Sequence, residues 1–439
     1  MEKSFFKEFS PLTPADQIAK IQFDQGGQKG YNDLLWSTPE GIEVHPIYPQ
    51  ADQKVNSSVF NETISWSITQ YLPVHQNEEV FLSQLQKALV NGVECLYLEL
   101  KNPCDFIPAI LAQLQKVGGP IFFIFRYVPN KANLKWIDQC SNCIICYDFL
   151  AEALLQGGWS SSYNNSKRAW LSLRSQHKTM SVYVNAAVYA NAGAHLAQQL
   201  TYALLHVNEY LDVLSSQQQK APVELIVQFA FGSNYFFEIA KCHAFRGMLA
   251  HLIEAYDFPI NLRLLGEPLR RNKCTLDYNV NLLRTSTEMM SAVLGGVDFV
   301  MNHPYDLRFN PPNDFADRIA RNQLLLLKHE SGFDQLRSPV AGTHYLSSLI
   351  EGLKAKSWAH FLTEEAQGGW VKIVDSNRLQ KSIASTAALE KKRLHAGEQV
   401  LVGATKYQDD TTLNVKAQLE APPDLYSDFI PLTLQYLQQ

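Results

Sequence analysis

The sequence predicts an α/β protein built on a (βα)8, or TIM, barrel. Eight short apolar runs lie between residues 60 and 330, and each of them is followed by a helix-like stretch. The runs are rich in β-branched and aromatic residues and do not alternate with polar residues, which suits strands buried on both faces of a parallel sheet. Repeats of this number and spacing are typical of a closed barrel.

The runs have the length of strands and are separated by longer, more polar segments. In chain order they are ISWSITQY (64–71), CLYLEL (95–100), IFFIFRY (121–127), CIICYD (143–148), SVYVNA (181–186), ELIVQFAF (224–231), NLRLLGE (261–267) and VDFVMNHP (297–304). In barrels of this kind the chemistry lies at the C-terminal ends of the strands. The residues that end these runs therefore decide what the protein does.

Helical segments follow several of the runs and continue beyond the barrel. The apolar spacing predicts helices over 191–214, 234–255, 277–294 and 314–330, and two more over 347–367 and 376–395. We therefore predict three regions. They are an extended N-terminal arm over 1–60, the barrel over 60–330, and a C-terminal helical extension with a tail over 331–439.

The predicted arm is rich in proline and glycine after an amphipathic helix over 5–23, so it cannot build a core of its own. It is nevertheless apolar, and its largest apolar side chains are Leu34, Leu35, Trp36, Ile42 and Ile47. Such a segment lies either on this barrel or on another chain. We predict that it wraps a partner.

Composition narrows the class of protein. The chain has 439 residues, 46% hydrophobic content and a net charge of −5, so a nucleic-acid partner is not expected. We find no apolar stretch of membrane-spanning length and no signal-peptide core at the start, and therefore expect no membrane partner. Seven cysteines, an odd number, suit a reducing compartment better than a disulfide framework. These observations favour a cytoplasmic location.

Three cysteines, Cys140, Cys143 and Cys146, have a spacing that zinc or iron–sulfur ligands also use. Ile144 and Ile145 place the second and third of them in a buried strand, and no later cysteine or histidine completes a ligand set. We favour buried thiols that pack as small hydrophobic side chains, and predict no metal site.

Several segments carry a resemblance to a known family. They are TPEGIEVHPIY (38–48), NYFFEIAKCHAFRGMLAHLIE (234–254), NLLRTSTEMMSAVLGGVD (281–298), DFADRIARNQLLLLKHESGFDQLRSPVAGTHY (314–345), EEAQGG (364–369) and GEQVLVGATKYQ (397–408). In this order they resemble the barrel domain of adenosylcobalamin-dependent methylmalonyl-CoA mutases. The resemblance implies a part in the interconversion of methylmalonyl-CoA and succinyl-CoA, a reaction of propionate metabolism.

The resemblance also sets out what a catalytic chain should contain. Members that bind cobalamin carry the motif D-x-H-x-x-G, and none of the 12 histidines here has an aspartate two residues before it. We therefore expect that this chain binds no cofactor and that adenosylcobalamin is held by a partner subunit.

The family's substrate-binding residues are replaced in this sequence. The histidine that donates to the thioester in SGYHMQEAGA aligns with Val188 of NAAVYANAGA, and the arginine that grips the substrate carboxylate aligns with Gln156. A tyrosine position falls on Ser57. In the seventh run the histidine and glutamine of HCQTSGW become Leu265 and Glu267. We therefore predict no catalytic residues in this chain.

This pattern resembles the non-catalytic small subunits of the family. It predicts a heterodimer with a full-length catalytic mutase chain, which this subunit stabilises. Two alternatives remain, both of them enzymes. One is a repurposed barrel that acts on another acyl-CoA, and the other is a mutase half that uses a separate cobalamin-binding chain.

Polar residues near the strand ends offer a possible different site, with a structural role as the competing interpretation. They are Glu99, Lys101, Arg126, Asp148, Glu267 and His303, of which Asp148 and Glu267 are the conceivable acid–base pair. Outside the barrel, 168–174 has the charge to bind a phosphate, but we favour a solvated helix that faces a partner, and 390–393 forms an exposed, charged helix end. We expect a barrel interior filled by some of the bulky residues on the strands, namely Tyr97, Phe123, Phe125, Tyr183 and Phe229.

Overall fold

The barrel predicted from the sequence is present in the structure. A computed structural model describes residues 13–408, except 27–29, 49–64, 75–76, 105–110, 131–133, 135–136, 275–276, 278, 308–309, 311–312 and 337–340. After a two-stranded hairpin of β1 and β2, eight parallel strands form one sheet in the order β6-β5-β4-β3-β10-β9-β8-β7. The α/β barrel class is confirmed.

The eight strands of the barrel coincide with the predicted apolar runs, and two short strands precede them. They are β1 (Trp36–Ser37), β2 (Glu43–Val44), β3 (Ser67–Pro73), β4 (Cys95–Leu100), β5 (Ile121–Phe125), β6 (Cys143–Cys146), β7 (Val182–Asn185), β8 (Val223–Phe231), β9 (Ile260–Pro268) and β10 (Phe299–Asn302). The two ends of the sheet meet at a parallel bridge between Ile145 and Met180. This bridge nearly closes the ring.

Helices surround the strands and continue past them. They are α1 (Pro14–Asp24), α2 (Glu78–Val90), α3 (Leu111–Leu114), α4 (Phe149–Leu155), α5 (Tyr163–Gln176), α6 (Ala187–Ala192), α7 (Leu196–Ser216), α8 (Tyr235–Ile253), α9 (Val280–Leu294), α10 (Asp314–Leu325), α11 (His344–Glu365), α12 (Gly369–Asp375) and α13 (Arg378–His395). Among the described residues, no helix has both the length and the apolarity to cross a membrane.

Three helical predictions differ from the structure. The stretch 191–214 is broken at Gly193, whose φ of 107° is left-handed and where an added Cβ would lie 2.8 Å from Ala387. The helix predicted over 314–330 changes to a π-helix at Leu326–Glu330. The short helix α12 was not predicted, because Gly368 and Gly369 indicated only the end of the helix before it.

The barrel interior forms a core separate from the layer between the strands and helices. Interior side chains come from alternate strand positions and include Tyr97, Tyr183 and Leu265. Of the five bulky residues from which some inward side chains are expected, Tyr97 and Tyr183 point inward. Phe123, Phe125 and Phe229 pack outward among the helices. An apolar run without polar alternation does not show which residues face the axis.

The described part of the arm lies on this chain's own barrel. Glu40 accepts a hydrogen bond from the backbone N–H of Leu196, at the start of α7 (3.3 Å). Ile42 is buried and contacts α11, where a Cβ added to Gly352 would lie 3.2 Å from the Ile42 side chain. Trp36 remains 47% exposed although it packs on Phe237. The arm thus combines anchored and exposed apolar residues.

Candidate functional site at the barrel mouth

Charged side chains from four strand ends meet at the C-terminal mouth of the barrel. Glu99 ends β4, Arg126 follows β5, Glu267 ends β9 and His303 follows β10. Because the carboxyl ends of parallel strands share one face of a barrel, these side chains lie together, as the sequence predicts. They form two groups with separate partners.

The first group is centred on Arg126. Its Nε donates to Glu99 Oε1 (2.8 Å) and its Nη1 to Glu152 Oε1 (3.1 Å), while the Tyr71 hydroxyl donates to Glu99 Oε2 (2.6 Å). Glu152 comes from α4 and was not predicted as a site residue. Its helical position, one turn after Asp148, was the signal that could have indicated it.

The second group is centred on Glu267. Its Oε2 lies 2.7 Å from His303 Nε2 and accepts from Arg270 Nη2 (3.0 Å). Asn191 donates to the other carboxylate oxygen (3.5 Å). Arg270 was also missed, although it lies three residues after Glu267, on the loop that leaves the strand.

Two of the three carboxylates, those of Glu99 and Glu267, are held ionised, whereas burial raises the pKa of Glu152. Burial alone would raise the pKa of Glu99, but the charges of Arg126 and Arg270 outweigh it and bring the pKa to about 2. Burial also raises the pKa of Glu267, but Arg270 and His303 lower it by more. The pKa of Glu267 is therefore about 2 as well. Burial and the neighbouring Arg270 lower the pKa of His303, so the imidazole favours its neutral form. A carboxylate held this far below neutral pH is a poor general base.

Below the mouth, aromatic side chains bond across the barrel axis. The hydroxyls of Tyr97 on β4 and Tyr183 on β7 lie 3.2 Å apart, and Tyr183 also donates to Gln228 on β8. Farther down, the rings of Phe122 and Phe299 make an edge contact with centroids 4.9 Å apart. These side chains fill the interior of the barrel below the mouth.

Asp148 belongs to a different network, on the outer side of the barrel. Its carboxylate accepts from the backbone N–H groups of Ala151 (3.0 Å) and Asn185 (2.7 Å) and from the Tyr210 hydroxyl (2.9 Å), and it lies 3.0 Å from His206 Nε2. Asp148 and Glu267, the conceivable acid–base pair, therefore belong to separate networks, since each carboxylate has its own partners.

The network continues beyond His206 into the helices. His206 Nδ1 lies 3.0 Å from the Tyr189 hydroxyl, which also accepts from Trp370 Nε1 (2.7 Å). His206 and both aromatic residues are fully buried. No local sequence pattern indicates this chain of contacts, because its members come from four separate helices and strand ends.

Comparison with known proteins identifies the family. The family model of methylmalonyl-CoA mutase matches residues 123–424. The chain belongs to the methylmalonyl-CoA mutase family. It is 28% identical to the methylmalonyl-CoA mutase small subunit of Porphyromonas gingivalis, over 93% of this chain and 72% of that protein.

Two further relatives are similarly distant. The chain is 30% identical to the mitochondrial methylmalonyl-CoA mutase of Mus musculus, over 92% of this chain and 62% of that protein. It is 26% identical to the large subunit of Streptomyces virginiae, over 87% of this chain and 61% of that protein. The chain thus spans less than two thirds of these two relatives.

The replaced family positions occupy different environments. Val188 lies in α6 and is buried in the outer core, and Leu265 lies on β9 inside the barrel. Neither side chain carries a hydrogen-bond donor, so neither can hold a thioester carbonyl. Gln156 is exposed at the end of α4, and Ser57 lies outside the described residues. Of the four positions that the structure describes, only Glu267 joins the mouth clusters.

The cysteines of the predicted alternative metal site are all buried. Cys140 donates through its thiol to Asn142 (3.0 Å), and burial raises the pKa of Cys143 and Cys146. Within the part of the chain that the structure describes, no three His, Cys, Asp or Glu side chains are arranged to hold a metal ion.

The remaining charged candidates make no ion pair within the mouth clusters. Lys101 is exposed just after β4, and its charge helps to lower the pKa of Glu99. In the segment 168–174, Arg174 donates to the backbone carbonyl of Met180 (2.7 Å), at the closure of the barrel. In 390–393, Glu390 pairs with the buried Arg271 (2.7 Å). That helix end is therefore not merely solvent-exposed, as the sequence suggested.

Proposed function

We propose that this chain is the non-catalytic small subunit of an adenosylcobalamin-dependent methylmalonyl-CoA mutase, located in the cytoplasm. In this proposal it pairs one-to-one with a full-length catalytic chain, which holds the cofactor and performs the isomerisation. The cross-barrel contact of Tyr97 with Tyr183 carries the proposal, because it fills the axis where an acyl-CoA would have to enter. Val188 and Leu265, which cannot donate hydrogen bonds, support it.

The charged groups at the barrel mouth are also poorly suited to bind a substrate or a corrin ring. The carboxylates of Glu99 and Glu267 are already paired with Arg126 and Arg270, so a ligand would have to break buried ion pairs to bind there. Breaking such a pair typically costs about 3–5 kcal/mol. The relatives are named as small and large subunits, which favours a role in a multi-subunit mutase.

Aromatic residues of the arm and of helices α8 and α11 offer a surface for the catalytic chain. The arm patch consists of Trp36, Tyr48, Phe236 and Tyr345. Trp36 and Phe236 are 47% and 48% exposed, and Tyr345 contacts both Tyr48 (5.4 Å) and Phe236 (5.5 Å between ring centroids). Large aromatic side chains at the centre of an interface carry much of the binding energy.

The test is a binding measurement with the catalytic chain. This subunit and the large mutase chain of the same organism are co-expressed, and the affinity of the complex is measured with purified chains. Deleting the arm is unsuitable, because Glu40 and Ile42 are part of this barrel's own packing. The double variant Trp36→Ala/Phe236→Ala removes the exposed rings alone, and Phe315→Ala on α10 is the control with a similarly exposed ring.

We expect the double variant to weaken the complex about 100-fold or more, as the loss of two interface anchors does. The control should bind as tightly as the wild type. The isolated chain should show no saturable binding of adenosylcobalamin or methylmalonyl-CoA. A wild-type affinity in the double variant refutes the arm surface, and micromolar binding of either ligand refutes the non-catalytic role.

A further inference from the structure

A cavity of about 180 Å³ lies beside the barrel mouth, between the ends of β5 and β6 and the start of α5. Four aromatic rings line it, those of Tyr127, Tyr147, Phe149 and Trp159. Trp159 is held in place by a hydrogen bond from its Nε1 to Asp375 (3.0 Å) and by contact with Phe149. The walls of the cavity are therefore both aromatic and ordered.

One carboxylate, that of Glu152, also lines the cavity. Glu152 is only 7% exposed, and its Oε1 is bonded to Arg126 (3.1 Å). Its Oε2 makes no hydrogen bond with any residue that the structure describes. Arg126 is shared with Glu99, so two carboxylates face one guanidinium. Among the described residues that line the cavity, Glu152 is the one formally charged side chain.

Nothing in the lining favours an anion. Besides the four rings and Glu152, the cavity is lined by Val128, Ala153, Gln156, Ser160 and Ser166, none of which is cationic. Gln156 stands where the family resemblance implies an arginine that grips a carboxylate. The faces of aromatic rings carry negative potential and attract cations, most of all alkylated ammonium groups. Ring faces and carboxylate therefore select the same charge.

We propose that this cavity binds a small organic cation, an alkylated or quaternary ammonium compound, with the rings around its alkyl groups and Glu152 opposite its charge. The site is independent of the partner surface and can be tested on the isolated chain. Its failure would leave the proposed subunit role untouched.

The test is calorimetric titration of the full chain with choline, and separately with dimethylbutanol, which has the same shape but a neutral carbon in place of nitrogen. We expect saturable choline binding in the millimolar range or tighter, and at least about tenfold weaker binding of the neutral analogue. This comparison uses the wild-type protein, so it does not depend on how well a variant folds.

Two variants locate the binding. Glu152→Gln removes the charge but leaves the Glu99–Arg126 pair intact, and Trp159→Leu removes one ring. Each should weaken choline binding about tenfold, whereas Phe315→Ala should have no effect. Equal binding of choline and its neutral analogue shows a merely apolar cavity and overturns the proposal. No saturable choline binding, or unchanged binding in both variants, overturns it as well.

Discussion

Replacing Arg126 with methionine tests whether the mouth is held together by its ion pairs. Arg126→Met keeps much of the side-chain volume and removes the charge that Glu99 and Glu152 share. Both carboxylates then remain buried without their main partner. Removing one member of a buried ion pair is strongly destabilising, typically by about 3–5 kcal/mol.

The structure supports a similar magnitude. The pKa of Glu99 lies at about 2, compared with an ordinary value of 4.5, even though burial opposes its ionisation. Since one pKa unit corresponds to about 1.4 kcal/mol, its surroundings favour the ionised form by roughly 3 kcal/mol. Arg126 makes the largest favourable contribution, with Arg270 next. We expect Arg126→Met to lower the free energy of unfolding by about 3 kcal/mol at neutral pH.

The loss should depend on pH in a defined direction. In the wild type the lowered pKa of Glu99 contributes stability that is present above its ordinary value of 4.5 and is lost as the pH falls towards 2. In the variant the pKa of Glu99 rises, because Arg126 is the largest of the charges that oppose burial and only Arg270 and Lys101 are left. The variant therefore loses less stability than the wild type as the pH falls from 4.5 towards 2, and the gap between the two proteins narrows in acid.

Urea unfolding followed by circular dichroism, at neutral pH and at about pH 3, measures both effects. Arg168→Met is the matched control, because Arg168 is exposed on α5, and it should change the stability by less than about 0.5 kcal/mol. An Arg126→Met variant within about 1 kcal/mol of the wild type at neutral pH, or a gap that widens in acid, would refute this reasoning.

Two further predictions concern other buried groups. Asp148→Asn should lower the free energy of unfolding by about 2–4 kcal/mol, because the amide cannot accept hydrogen bonds from His206, Tyr210 and two backbone N–H groups as the carboxylate does. A thermal unfolding temperature equal to that of the wild type would contradict this prediction. A thiol reagent should label the partly buried Cys104 first in the native protein, since the other six cysteines are buried and burial raises the pKa of Cys95 to about 12. Rapid labelling of two or more native thiols would show that the core is more open than described.

The barrel strands could be predicted because each is a run of apolar residues of strand length, and such a run is visible in the local sequence. The direction of individual side chains could not. Phe122 and Phe123 are adjacent and equally apolar, yet only Phe122 enters the barrel. Which residues face the barrel axis depends on the pairing with neighbouring strands, here Phe122 opposite Tyr97 on β4. The residues of the run alone do not determine that pairing.

The site was predicted in part for the same reason. Glu99, Arg126, Glu267 and His303 could be placed at the mouth, because the end of each strand is visible in the sequence. The ion pairs that they form could not be predicted, because folding brings carboxylates from separate segments close to Arg126. His206 contacts Asp148 across 58 residues of sequence, and no local pattern in α7 marks it as a partner.

The closure of the ring between β6 and β7 has a consequence for solubility. Every other junction of the described sheet pairs between two and nine residues on each strand, whereas this one rests on the single bridge of Ile145 with Met180. If that junction parts, the barrel becomes an open sheet whose two edges include the apolar β6. Exposed apolar edges recruit strands from other molecules. Aggregation under mild stress should therefore begin at β6, before the rest of the barrel has lost its structure.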